Sequence, residues 1–372
     1  MTKEQPLEYG VRMCAAIMDC FPPDKIEPNV GMFTYHHGVF LSGMERIWHV
    51  TGEDKYFDYI KGWVDSVTTP EGEIVPSDNP WCSLQTLDYR QAGILLFNVY
   101  RVTGESRYKK VLEILVESLQ KYPTNSKGVF WHFAYTPNEV WLDGLYMASP
   151  LMVMYAEAFG RNEFFDIAAK QVIEMYRNMA DKNGLLHHGW DETKQARWAD
   201  KETGLSSEVW GRACGWFMVA VADILDYLPS EHKKRSEIID ILKKAVSDIV
   251  KYQDQSGRWF QVVDKGGAQG NWLENSCTCL YLYAIAKCIR KGYISKQYSP
   301  CMERGFDGVI SSVRQENGRL ILDDICSGTG IEDGSYAHYI NRPVIQNDLH
   351  GTGAFVLMCS EIHSLLNSIV NQ

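Results

Sequence analysis

The chain has no apolar run approaching the roughly 18 to 20 residues that a bilayer-crossing helix needs. Its first residues, MTKEQPLEYG, carry no basic region followed by an apolar stretch, so no signal peptide is expected and a cytoplasmic location is. Positive charge is in deficit: 37 basic residues face 47 acidic ones, a net charge of −10. That argues against nucleic acid or an anionic membrane as partner, though a few local cations could still hold a small anion. Familiar signatures are missing too: there is no G-x-x-x-x-G-K-[ST], no H-E-x-x-H and no G-x-S-x-G. The ten cysteines include a C-x-C at Cys277 and Cys279 but no C-x-x-C and no companion His tract. Cys14, Cys20, Cys214, Cys288 and Cys359 fall in apolar helical stretches. Buried thiols in a reducing compartment are therefore expected, rather than a metal cluster or disulfide framework.

Apolar residues and aromatics are abundant. Hydrophobic residues make up 45% of the 372-residue chain and charged residues 23%, a globular composition. Eleven Trp and 20 Tyr can fill a core or line a sugar-binding cleft, since their faces stack on pyranose rings. The strongest organisational signal is a repeat. A turn glycine followed by a short apolar stretch occurs at Gly31, Gly72, Gly128, Gly184, Gly257 and Gly318. In the last five, Glu, Lys, Asn, Ser or Asn precedes the glycine, a pairing suited to positive φ.

An amphipathic helix precedes nearly every one of these turns. The clearest covers 231–252, where Ile238, Ile239, Leu242, Ala245, Val246, Ile249 and Val250 share one face. Similar one-sided stretches cover 6–21, 54–67, 105–120, 162–178 and 298–314. A second kind of helix follows each turn, starting near His36, Asp88, Leu142, Glu208, Leu273 and Asn347. These are apolar on most sides and rich in Gly, Ala and aromatics, so they must be buried all round. Six one-sided helices alternating with six buried ones predict an all-α fold, an (α/α)6 toroid with an inner ring wrapped by an outer ring. A single domain over 1–372 is expected, with short strands in the loops at one mouth.

By topology the inner helices start at that same mouth. Their first turns carry His36, His37, Asp88, Asp143, Arg212, Glu274, Asp348 and His350; the fourth residue after a turn glycine adds Tyr35, His132, His188 and Gln261. Polar groups are costly to bury without partners, so a ring of them above an apolar core is a candidate site. An Asp at a helix start is often only a cap. Asp143 differs, because Trp141, Leu142 and Tyr146 surround it in WLDGLYM. Burial and a neighbouring Asp88 are expected to raise its pKa and fit it to act as a general acid. Arg212 is either a core ion-pair partner or a clamp for a ligand carboxylate. His188 is either a surface residue or a ligand contact. Trp141, Trp190, Trp210 and Trp216 are core or stacking platform.

The segments YHHGVFLSG at 35–43, LDYRQAG at 87–93, WHFAYTPNEVWLDGLYM at 131–147 and HHGWDE followed by WGRACGW resemble glycoside hydrolase family 105. So do YQDQSGRWFQVVDK at 252–265, NWLENSCTCLYLYAIAKCI at 271–289 and NDLHGTGAFVL at 347–357. These are the unsaturated rhamnogalacturonyl hydrolases, related to the unsaturated glucuronyl hydrolases of family 88. The resemblance implies an (α/α)6 barrel and a small anionic disaccharide substrate, with no metal and no cofactor. It implies Asp143 as the catalytic residue and Asp88 as its assistant. His188 and Arg212 are implied to contact the substrate, and Tyr35, His36 and His132 to line the pocket; Trp141, Trp210 and Trp216 are expected beside them as substrate-binding platforms. Phe133 stands where some relatives carry a basic residue, which bears on the leaving sugar. The rival expectations are an inverting glycosidase or sugar epimerase on the same toroid, and a sugar-binding toroid without turnover.

Overall fold

The structure, a computed structural model, describes residues 2–370. Its helices in chain order are α1 (Gln5–Met18), α2 (Tyr35–Thr51), α3 (Asp54–Val67), α4 (Leu95–Thr103), α5 (Ser106–Glu117), α6 (Gly144–Phe159) and α7 (Glu163–Met179). They continue with α8 (Gly211–Tyr227), α9 (Arg235–Ile249), α10 (Asn275–Arg290), α11 (Ser299–Ile310), the short α12 (Tyr336–Ile340) and α13 (Leu349–Val370). A 3-10 stretch, Asp88–Ile94, leads into α4. The inner ring runs α2, the Asp88 stretch with α4, α6, α8, α10 and α13; each packs on the next, and α13 closes back on α2. Helices α1, α3, α5, α7, α9 and α11 wrap it. This is the expected (α/α)6 toroid.

The two helix types differ as their sequences require. Helix α10 is buried from Asn275 to Ile289, whereas α9 buries Ile238, Ile241, Leu242, Ala245, Val246, Asp248 and Ile249 on one side. All six turn glycines have positive φ. At Gly257 a side chain is also sterically excluded, because a Cβ would sit 2.0 Å from the Arg304 carbonyl oxygen. Glycines also let the inner helices approach closely: a Cβ on Gly353 of α13 would lie 2.7 Å from the Phe40 backbone nitrogen of α2.

Strands are short. They pair as antiparallel ribbons: β1 (Glu139–Trp141) with β2 (Gly189–Asp191), β3 (Trp259–Phe260) with β4 (Leu273–Glu274), β5 (Val313–Glu316) with β6 (Arg319–Leu322), and β7 (Ile325–Cys326) with β8 (Val344–Ile345). Three local departures from expectation have simple causes. Cys20 lies beyond the end of α1 and is exposed, because the chain leaves the helix at Asp19. The outer stretch expected over 298–314 stops at Ile310, where β5 takes over. The second inner helix opens as the tighter 3-10 form. Among the described residues, no helix is long and apolar enough to cross a membrane.

Candidate active site

A cavity of about 650 Å³ opens at the mouth where the inner helices begin. Tyr35, His36, Asp88 and Trp141 line it directly. Asp143 sits at the start of α6, in the residue before its first turn. Its backbone is already helical (φ −56°, ψ −35°) and its carboxylate accepts no capping hydrogen bond. The glutamate at the equivalent place in α10, Glu274, does cap, accepting from the backbone N–H groups of Ser276 and Cys277. Asp143 is therefore buried without the partners that would make it structural.

Two carboxylate–imidazole contacts define the site. Asp143 Oδ2 lies 3.1 Å from His188 Nε2, and Asp88 Oδ1 lies 3.3 Å from His132 Nε2. Neither Asp143 Oδ2 nor His188 Nε2 is aligned for a hydrogen bond. Strand pairing explains how such distant residues meet. Register Trp141↔Gly189 sets Asp143 and His188 just beyond paired residues of β1 and β2, and the Leu142 amide donates to the His188 carbonyl at 2.8 Å. Trp141 joins the two contacts. Its ring stacks on His132 at 4.4 Å and meets the edge of His188 at 5.7 Å. Tyr339 O–H lies 2.8 Å from His188 Nδ1.

The expectation of a raised Asp143 pKa is corrected. Burial does push the carboxyl up, but the His188 imidazole, with His132 and Arg212 behind it, outweighs burial and holds it below its ordinary value. His188 is itself pulled down by burial, against the opposing attraction of Asp143. The free site thus holds a carboxylate beside a neutral imidazole near neutral pH. The nearby Asp88, Asp348 and Asp143 carboxylates add to burial in raising the Tyr35 phenol, and burial keeps His36 uncharged.

Other expected residues lie elsewhere. Trp210 and Trp216 are each 1% exposed; Trp216 stacks on Tyr146 at 4.8 Å and Trp210 packs on His188 at 4.6 Å. Neither offers a face to a ligand, and both are core. Trp190 is likewise buried. His188, far from being a surface residue, is fully buried. Arg212 has no carboxylate partner among its contacts. It donates Nη1 to the Cys326 carbonyl and Nη2 to that of Ser327 at 2.7 Å, over the Trp210 ring. It holds the loop that follows β7, and that loop forms a wall of the cavity through Gly328, Thr329 and Gly330. The cations that do reach the wall are Arg197 and Arg342, joined by Trp81 and Trp198. Sequence patterns missed these four because they sit in loops without periodicity. A tryptophan in the polar run SDNPWCS was the available clue to Trp81, which is 52% exposed.

The toroid thus gathers two carboxylate–imidazole contacts at one mouth. The profile of Glycosyl Hydrolase Family 88 matches residues 9–366. A Clostridium acetobutylicum glycoside hydrolase from family 105 is 32% identical, with 96% of this chain and 99% of that chain covered and a TM-score of 0.90. The chain belongs to these family 88/105 glycoside hydrolases and is an enzyme. The unsaturated rhamnogalacturonyl hydrolase YesR of Bacillus subtilis is 25% identical over 301 residues, 79% of each chain. The unsaturated glucuronyl hydrolase of Bacillus sp. GL1 shares the fold, at 12% identity and a TM-score of 0.71, with 96% of each chain covered.

Proposed function

We propose that the protein acts on unsaturated uronic-acid disaccharides left by pectin or rhamnogalacturonan lyases, hydrating the carbon 4–carbon 5 double bond and releasing the reducing-end sugar, rhamnose. The observation that carries this reading is Asp143: a buried, uncapped carboxylate beside an imidazole, in a family that contains unsaturated rhamnogalacturonyl hydrolases.

The chemistry follows from the charges. The free site holds Asp143 ionised. An entering uronate brings a second negative charge into a buried space, and a like charge favours protonation of Asp143. Protonated Asp143 then donates to carbon 4 of the enol ether, and positive charge develops at carbon 5 and the ring oxygen. The Asp143 carboxylate takes a proton from water as its hydroxide adds at carbon 5, which restores the acid. The resulting hemiketal opens: a carbonyl forms at carbon 5, the ring bond breaks, and the hemiacetal left at carbon 1 expels the reducing-end sugar. The anomeric carbon is never attacked, so the usual carboxylate-spacing rule for retaining and inverting enzymes has no role. The steps use no cofactor or metal.

His188 orients Asp143 and exchanges its proton. Asp88 and His132, the second pair, bind sugar hydroxyls and steady the charge. Tyr35, His36 and Trp141 form the wall, and Arg212 acts by fixing the loop opposite them. A reducing, cytoplasmic setting suits the ten free thiols, of which only Cys20 is exposed. The test is a panel of unsaturated and saturated uronyl disaccharides followed by ultraviolet absorbance and sugar release. Turnover of unsaturated rhamnogalacturonan disaccharide alone supports the reading. Turnover of saturated substrates points to an ordinary glycosidase, and binding without turnover to a sugar-binding toroid.

A further inference from the structure

A second chain of polar groups at the same mouth has no part in the steps above. Tyr35 opens α2, and Asp348 and His350 stand at the start of α13, which packs beside α2 in the inner ring. The Tyr35 hydroxyl lies 2.6 Å from His350 Nε2, and His350 Nδ1 contacts Asp348 Oδ1. Asp348 also accepts the His350 backbone N–H at 2.9 Å. Both side chains lie behind the cavity, with 1% exposure for His350 and 9% for Asp348. Tyr35 itself is on the cavity wall.

The Asp348 contact sets the first hydrogen-bond role along this chain. An ionised carboxylate only accepts, so His350 Nδ1 must carry the proton that faces Asp348. Asp348 is held ionised: burial pushes it up, but His350, the His350 backbone N–H and Arg212 together take it well below the ordinary carboxylate range. A ring protonated at Nδ1 alone leaves Nε2 bare, and the 2.6 Å contact is then made by the Tyr35 hydroxyl donating to it. The phenol keeps that proton, since burial and the surrounding carboxylates raise it far above ordinary tyrosine. An oxygen whose hydrogen bond is given to His350 is left to accept, on a residue of the cavity wall.

We propose that Asp348 and His350 are positioning residues that turn the Tyr35 hydroxyl proton inward, making Tyr35 a hydrogen-bond acceptor for a hydroxyl of the bound sugar. The inference rests on the proposed use of this cavity, but its first test does not. Nitrogen-15 histidine NMR of the substrate-free enzyme should show His350 protonated at Nδ1, with an Nε2 signal that shifts in Tyr35→Phe. An Nε2-protonated His350, or an Nε2 signal indifferent to Tyr35→Phe, overturns the proposal whatever the substrate proves to be.

The second test is a double-mutant cycle on unsaturated rhamnogalacturonan disaccharide. Tyr35→Phe and His350→Gln should each lower kcat/KM by about tenfold, mostly through KM, as for one lost hydrogen bond. The double variant should be no worse than Tyr35→Phe alone, because His350 acts only through the phenol. Multiplying effects would contradict the assignment. Asp348→Asn keeps an acceptor for the helix start and should resemble His350→Gln; the Tyr35–His350 cycle stands without it if that variant fails to fold. If wild type leaves this disaccharide untouched, the functional reading has failed, and the NMR result still decides the relay.

Discussion

The two mouths of the toroid handle their acidic residues in opposite ways. Where the inner helices end, a second cavity of about 430 Å³ is lined by Arg46, Asp223 and Asp226. There Asp223 accepts from Tyr283, from fully buried Lys287 at 2.5 Å and from Arg46 at 3.4 Å. Asp226 meets Lys287 at 2.5 Å and Lys291 at 2.8 Å. These carboxylates are saturated with cations. Where the inner helices begin, Asp143 has one misaligned imidazole and no cap. A neutralised carboxylate holds helices together; one left short of partners can still take and give a proton.

That contrast can be broken by mutation. The largest effect should come from Asp143→Asn. Turnover should fall by a factor of about 10² to 10⁴, as for loss of a general acid. The melting temperature should scarcely move, because no capping bond is lost. A folded variant above a tenth of the wild-type rate would shift the role to Asp88. Asp223→Ala at the other mouth should do the reverse. Removing it leaves Lys287 facing Asp226 alone and should destabilise the fold by about 3 kcal/mol, measured by chemical denaturation. The folded variant should keep wild-type turnover; a large loss of turnover would erase the distinction between the mouths.

Arg212→Lys comes next. Lysine cannot reproduce the fork that holds the Cys326 and Ser327 carbonyls, so stability should drop by about 1 to 3 kcal/mol. Substrate use should suffer through the loosened loop. Normal melting with a KM defect confined to anionic substrates would instead restore Arg212 as a direct carboxylate clamp. The subtlest effect is on pH profiles. The profile of kcat/KM follows the free enzyme and that of kcat the complex. His188 holds Asp143 low in the free enzyme, and the uronate raises it in the complex. The alkaline limb of kcat should therefore lie at higher pH than that of kcat/KM; coincident limbs would mean that Asp143 is already raised before substrate arrives. Acid stability marks the other mouth. Asp226 is lowered from 3.8 to about 2, mainly by Lys287 against its burial. Its contribution should be complete above its unfolded value and lost as pH falls from about 4 towards 2.

The toroid was legible because its signals are local: glycines that only a positive φ explains, and helices whose apolar residues either keep to one face or cover all sides. Asp143, Asp88, Tyr35 and His36 were legible because the topology gathers the starts of the inner helices. Electrostatics was less so. The aromatic neighbours of Asp143 lie beside it in the chain and suggested a raised pKa, whereas His188, which reverses the shift, reaches it through the β1–β2 pairing. Trp210 and Trp216 read the same in sequence whether they face a ligand or the core; only packing separates them from Trp141. The Arg212 partners are backbone carbonyls, which carry no side-chain signature at all.

The central claim is that the double bond is consumed in the step that commits the sugar to leave. Recording ultraviolet absorbance and free reducing-end sugar together through the first turnovers, on unsaturated rhamnogalacturonan disaccharide, tests it most directly. Hydration at Asp143 requires absorbance loss to lead or coincide with sugar release. Sugar released while the absorbance persists would place the attack at the anomeric carbon and contradict the account.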